Sequence, residues 1–180
     1  VLTYLNERDA VVKRLVERFK VQPSEIVERV TSLQEELKNT DKALIAARAE
    51  LAVAKSFALV AKAVAVGPFQ LLVQRLDCVD GAGLQGAAQS LVDELGEGSA
   101  VVLGGLPDPA DLGKVILVAA FGKQVIAGGQ QAGKFIGCIA KHCGGGGGGR
   151  PNLAQAGGRD GAALDGALEA AKVQLKQALG

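Results

Sequence analysis

The chain has no methionine, no tryptophan, one histidine and one tyrosine, and aromatic residues make up only 3% of it. Any core must therefore be built from Ala, Val, Leu and Ile. His142 and Cys143 stand side by side, but two ligands fall short of the four a structural zinc needs. One histidine supports no Ser-His-Asp set, and no carboxylate pair accompanies the glycine-rich region, so acid–base catalytic machinery is not expected. Three cysteines, Cys78, Cys138 and Cys143, fit neither a disulfide framework nor a zinc spacing, and their odd number suggests a reducing compartment. No apolar run is long and clean enough to cross a membrane. The missing methionine, with an opening Val1-Leu2-Thr3-Tyr4-Leu5 already in helical pattern, reads as a piece of a longer protein whose targeting signals would lie upstream.

Acid is missing locally rather than globally. Twenty Lys and Arg against 19 Asp and Glu leave a formal charge of +1, which gives no general attraction to nucleic acid or membrane. Between Asp111 and Asp160, however, there is no acidic residue, while Lys114, Lys123, Lys134, Lys141, Arg150 and Arg159 fall there. A local basic surface follows.

The periodicity divides the chain into residues 1–66, helical, and 67–180, a small globular α/β domain. Residues 1–20 carry Leu2, Leu5, Val12, Leu15, Val16 and Phe19 roughly on one side. Val21-Gln22-Pro23-Ser24-Glu25 breaks that helix and starts another. In the second, Ile26, Val30, Leu33, Leu37, Thr40, Leu44, Ala47, Leu51 and Ala54 alternate spacings of four and three. That seam predicts a coiled coil or an antiparallel helical hairpin. From Phe57 to Val66 the pattern is apolar and Ala-rich, and Gly67-Pro68 stops it.

Beyond, strands are predicted at 69–76, 99–103 and 114–121, with a helix over 80–95 and a turn over 104–109. Strand, helix and strand predict a crossover with parallel strands, and the short turn returns the third strand antiparallel. The expected fold class is α+β: helices followed by a mixed three-stranded sheet. A helix near 130–142, a glycine loop and a last helix capped by Asp160 complete it, with Leu164, Leu168, Ala171, Leu175 and Leu179 as the buried stripe.

The glycine run is the most informative stretch. Gly144, Gly145, Gly146, Gly147, Gly148 and Gly149 have no side chains to shield their amides, and Arg150 follows directly. Such a loop beside a guanidinium has the parts of an anion cradle. Pro151, Asn152, Gln155, Gly157 and Gly158 continue it, stiffening the loop and offering hydrogen bonds, which is unlike a plain linker. The Gly-Lys-Ser/Thr ending of a nucleotide-binding P-loop is missing, and no strand precedes the run as a dinucleotide fingerprint requires. The expected anion is a phosphate of a polynucleotide or a single phosphoester. Lys123, Lys134 and Lys141, with Arg159, would add backbone contacts that position without reading sequence. Phe121 and Phe135 are the nearby rings, and both are expected in the core.

Gly144 to Arg150, continued by Pro151-Asn152-Leu153-Ala154-Gln155-Ala156-Gly157-Gly158, closely resembles the C-terminal signature of alanyl-tRNA synthetases. Asn152 and Leu153 stand where the usual form has Asp and Met. Leu2-Thr3-Tyr4-Leu5-Asn6-Glu7, the break at 21–25 and the long helix also match, so the resemblance spans nearly the whole chain. It implies the C-terminal domain called C-Ala, a helical subdomain plus a globular one of DHHA1 type. That part would bind the outer corner of tRNA and help upstream aminoacylation and editing domains act on it. It implies no catalytic residue, metal or cofactor in this piece, while the longer enzyme would use ATP, magnesium and an editing-site zinc. It further implies alanine-accepting tRNA as partner, with DNA and a homodimer through the helices as alternatives. The setting would be the cytoplasm or an organelle with its own translation. A phosphoesterase accessory role, known for related DHHA1 domains, would need a metal-binding partner domain rich in Asp and His.

Overall fold

The computed structural model describes residues 2–180, with side chains described except at 2–8, 49, 52, 53 and 55–57. Two compact units divide the chain, one ending at Leu44 and the other running from Ile45 to Gly180.

The first unit contains α1 (Leu2–Phe19), a 3-10 turn at Pro23–Glu25 and the start of α2 (Ile26–Val60). Lys20, at φ 54°, ends α1. Proline suits the first position of the new turn. The Glu25 carboxylate accepts the Gln22 amide at 3.0 Å, which occupies a donor the helix start leaves free. Along the predicted seam Ile26, Val30 and Leu33 are half-buried, whereas Leu37 (63%) and Leu44 (47%) are exposed. The Thr40 hydroxyl, which interrupts the seam, donates to the Glu36 carbonyl at 2.8 Å.

The second unit is built on a six-stranded sheet, not three. Its strands are β1 (Val64–Val66), β2 (Phe69–Arg75), β3 (Ser99–Gly105), β4 (Val115–Phe121), β5 (Gly146–Gly149) and β6 (Leu153–Gly158), in the spatial order β1-β2-β3-β4-β6-β5. β2 and β3 are parallel, joined through α3 (Gly81–Leu95), and every other neighbour is antiparallel. The three predicted strands and the crossover thus form the centre. Gly67-Pro68, expected as a stop, is the turn of a β1–β2 hairpin with Gly67 at φ 58°. Gly104 and Gly105, expected in a turn, extend β3. A β-carbon on Gly105 would run into the Leu76 carbonyl, so only glycine lets these segments meet.

All residues of β3 and β4 are buried, as continuous apolar strands covered on both faces should be. On one face α3 packs Leu84 and Leu91 against Leu72, Val101, Leu103 and Val118. On the other, α5 (Ala132–Ala140) and α6 (Leu164–Leu179) bring Ile136, Ile139, Leu164, Leu168 and Leu175 onto Leu71, Val102 and Leu117. Each fully buried leucine contributes roughly 1.5–3 kcal/mol. Asp80 caps α3 by accepting the Gly83 amide at 2.8 Å. Asp160 does not cap α6. Its carboxylate accepts the amides of Ala162 and Ala163 at 3.0 and 3.2 Å and tightens the turn before the helix, which begins four residues later than Asp160. The expected α6 stripe, Leu164 to Leu179, is buried. Arg75, at the end of β2, donates to Asp77 at 2.9 Å and to Asp165 of α6 at 3.0 Å.

Candidate functional site

The glycine run is a strand, not a loop. β5 lies at the sheet edge and pairs with β6, Gly146 opposite Gly157 and Gly149 opposite Ala154. Pro151 and Asn152 form the two-residue turn, closed by the Arg150 amide on the Leu153 carbonyl at 3.0 Å. The turn is tied down on both sides. The Pro151 carbonyl accepts the Ala132 amide that opens α5, and the Asn152 carbonyl accepts the Phe121 amide that closes β4, both at 2.9 Å.

Successive residues of a strand face opposite ways. Opposite Gly147 and Gly149 stand Ala156 and Ala154, both buried in the α5–α6 core. A β-carbon on Gly147 would collide with Ala156, and one on Gly149 would lie 2.7 Å from Ala154 Cα. α5 presses on the same face through its own glycines. A β-carbon on Gly133 would sit 2.6 Å from the Gly149 carbonyl oxygen, and one on Gly137 3.0 Å from that of Gly147. Gly146 and Gly148 face the other way, and a β-carbon there meets nothing within 4 Å on Gly146 and only a carbonyl at 3.9 Å on Gly148.

This arrangement changes the chemistry expected of the glycines. The Gly144 amide is taken by the Lys141 carbonyl at 3.1 Å and the Gly145 amide by that of Ala140 at 3.0 Å. With Arg150 and Leu153 a bonded pair, alternation along the ladder turns the peptide groups of Gly148 and Gly146 toward β6. The amides of Gly144, Gly145, Gly146 and Gly148 are therefore engaged, and those of Gly147 and Gly149 lie on the unpaired side of the edge strand. The run makes a flat backbone surface without side chains, exposed over Gly146–Gly149. On this face Gln155 accepts from Gln85 of α3 at 2.7 Å.

The basic residues distribute unevenly around the hairpin. Arg150 is exposed at the turn, beside a pocket of about 260 Å³ shared with Gln85, Gly148, Gly149, Asn152 and Gln155. Lys134 lies on the exposed side of α5 and Lys141 in the 3-10 turn that follows it, each exposed. Lys123 opens α4 (Lys123–Ala127) and is bound to Glu97 at 2.8 Å, which raises its pKa. It lines a separate pocket of about 320 Å³ with Glu97, Asp93 and Asn152. Gly157 is exposed, while Gly158 is half-buried against Cys143. Phe121 is buried and Phe135 half-buried, with ring centres 5.8 Å apart, so they form part of the core rather than a stacking platform.

Lys114, outside the expected set, and Arg159, within it, line the largest cleft described, about 700 Å³, with Gly144, Gly145, Gly146, Gln155 and Gly157. Both belong to the acid-free stretch, and that was their sequence signal. Only the β4–β6 register, with Val115 opposite Gly158, sets them side by side. Gln85 carried no comparable signal.

A glycine hairpin at a sheet edge, with α3 on one face and α5 and α6 on the other, defines a class. The chain belongs to the DHHA1 domain family, whose model matches residues 69–177. Over 180 residues it is 82% identical to alanine–tRNA ligase of Prochlorococcus marinus strain MIT 9313, covering 100% of this chain and 20% of that protein. It is 80% identical over 179 residues to the same enzyme of Synechococcus sp. strain WH7803, covering 99% and 20%. The chain thus spans about a fifth of the length of these relatives. The crystal structure of the C-Ala domain from Aquifex aeolicus alanyl-tRNA synthetase superposes with a TM-score of 0.54 at 27% identity, covering 65% of this chain and 96% of that one. No helix among the described residues is long and apolar enough to cross a membrane.

Proposed function

We propose that this chain is the tRNA-binding C-terminal domain of an alanyl-tRNA synthetase. The open face of the β5–β6 hairpin would meet sugar-phosphate backbone at the outer corner of the tRNA. Holding that corner would help upstream domains carry out aminoacylation and editing. The ligation of alanine, with its ATP, magnesium and editing-site zinc, would belong to the rest of the longer protein, in the cytoplasm or an organelle that translates. One observation carries the reading: a side-chain-free, exposed strand face with Arg150 at its tip, in a chain this similar to a fifth of alanine–tRNA ligase. Arg150 would offer its planar fork to a phosphate, and Lys134 and Lys141 a diffuse field.

Titration with alanine-accepting tRNA at several salt concentrations tests this. Affinity should fall steeply with salt through counterion release, and Arg150→Ala should weaken binding roughly tenfold while the urea midpoint stays unchanged. A flat salt response, or an unweakened Arg150 variant, refutes the interface. Equal affinity for duplex DNA would shift the reading to a DNA-binding form of the same domain.

A second reading, a dimerisation module, draws on the exposed seam residues Leu37 and Leu44 in the first unit. Light scattering that shows a monomer at every concentration would end it.

A further inference from the structure

We infer that the cleft between Lys114 and Arg159 seats one unstacked nucleotide of the bound RNA, apart from the backbone contact at Arg150. The inference rests on the reading of this chain as a tRNA-binding domain.

The two cations are free to act. Among the described residues neither forms an ion pair, although each has an acidic neighbour in sequence. Those acids are engaged in their own turns. Asp111 accepts the Gly113 amide at 3.0 Å, and Asp160 accepts the amides of Ala162 and Ala163. Lys123, by contrast, is already neutralised by Glu97. Two cations without an ion-pair partner, lining one concave site, form a seat for one phosphodiester group.

The rest of the cleft suits what is attached to that phosphate. Its volume, about 700 Å³, is of the size that takes a small organic group rather than the side of a duplex. Gly146 and Gly157 give it a floor of bare peptide planes, against which a flat base can lie. Gln155 stands at the far end, and Gln85 holds its amide at 2.7 Å. With its oxygen accepting from Gln85, the Gln155 amide keeps its NH2 group to donate to an acceptor on an unpaired base edge. Unstacked nucleotides are also what proteins most often read in RNA. From Gly145 to Gly149 the strand spans about 14 Å, beyond the Debye length of about 8 Å in physiological salt, so this seat and Arg150 act as separate contacts.

The test compares tRNA with a blunt RNA duplex on the whole chain. Lys114→Ala with Arg159→Ala should weaken tRNA binding roughly tenfold and reduce the salt slope by about 0.7–0.9, as for one lost phosphate contact. Gly146→Leu should weaken tRNA binding as much while the urea midpoint stays unchanged, because its side chain enters only the open cleft. Its weak binding to the blunt duplex should fall far less than its binding to tRNA. The effect of Arg150→Ala should multiply with these. If the cleft variants bind tRNA normally while Arg150→Ala does not, the cleft holds no nucleotide and the inference falls alone. If Arg150→Ala is also without effect, the tRNA reading falls with it. If Gly146→Leu weakens duplex and tRNA alike, the occupant is a helix backbone and the inference fails.

Discussion

One strand of four glycines has two faces with opposite requirements. Toward α5, Gly147 and Gly149 leave no room for a methyl group, because Ala154 and Ala156 crowd them and α5 presses its own glycines onto their carbonyls. A β-carbon on Gly146 would look onto open space, and one on Gly148 would meet only the Gly133 carbonyl at an ordinary 3.9 Å. Glycine is thus a packing necessity on one face. On the other, packing does not explain it, which is why function is sought there.

Substitution breaks or sharpens that contrast most directly. Gly147→Ala should destabilise the domain by about 1–3 kcal/mol, as overpacking a tight contact does, while Gly148→Ala should stay within about 0.5 kcal/mol. Urea unfolding measures both, and equal losses would erase the distinction.

Thiol chemistry separates packed from open positions elsewhere in the domain, with a smaller effect. Cys143 is buried beneath the hairpin, whereas Cys138 and Cys78 are exposed. Iodoacetamide should label the exposed pair in the folded chain and reach Cys143 only on unfolding. Burial and, secondarily, Asp160 push the Cys143 thiol above its ordinary value of 9.0. Above that value the unfolded chain releases this proton first, so the contribution of Cys143 to stability should decline as pH rises past about 9. Cys143→Ala should flatten that part of the profile, and an identical profile would contradict the shift.

Lys123 should show the smallest effect. Glu97 already holds it, and it lines a different pocket from Arg150. Lys123→Ala should therefore weaken tRNA binding less than Arg150→Ala in parallel titrations.

The central strands were legible because each is a short apolar run bounded by turn residues, and the crossover helix because Leu84, Ala87, Ala88, Leu91 and Val92 share one face. β5 was not legible. Glycine carries no strand propensity and no alternation, so Gly146–Gly149 read as a loop until β6 paired with it. β1 was hidden in the apolar continuation of the long helix. The close approach of Gly133 and Gly137 to the carbonyls of Gly149 and Gly147 came only from the structure. The Asp160 cap failed for a local reason: its carboxylate serves the turn, and α6 starts only at Leu164.

By itself the sequence determined that a helical region precedes a mixed α/β domain, and that its cations gather where acids are missing. Both follow from side-chain periodicity and charge, which are properties of the chain read one residue at a time. Only the tertiary structure decided which glycines are packed and which are open, and that Lys114 and Arg159 line one cleft while Lys123 pairs with Glu97. Those facts depend on strand register and helix placement, which bring together groups far apart in the chain.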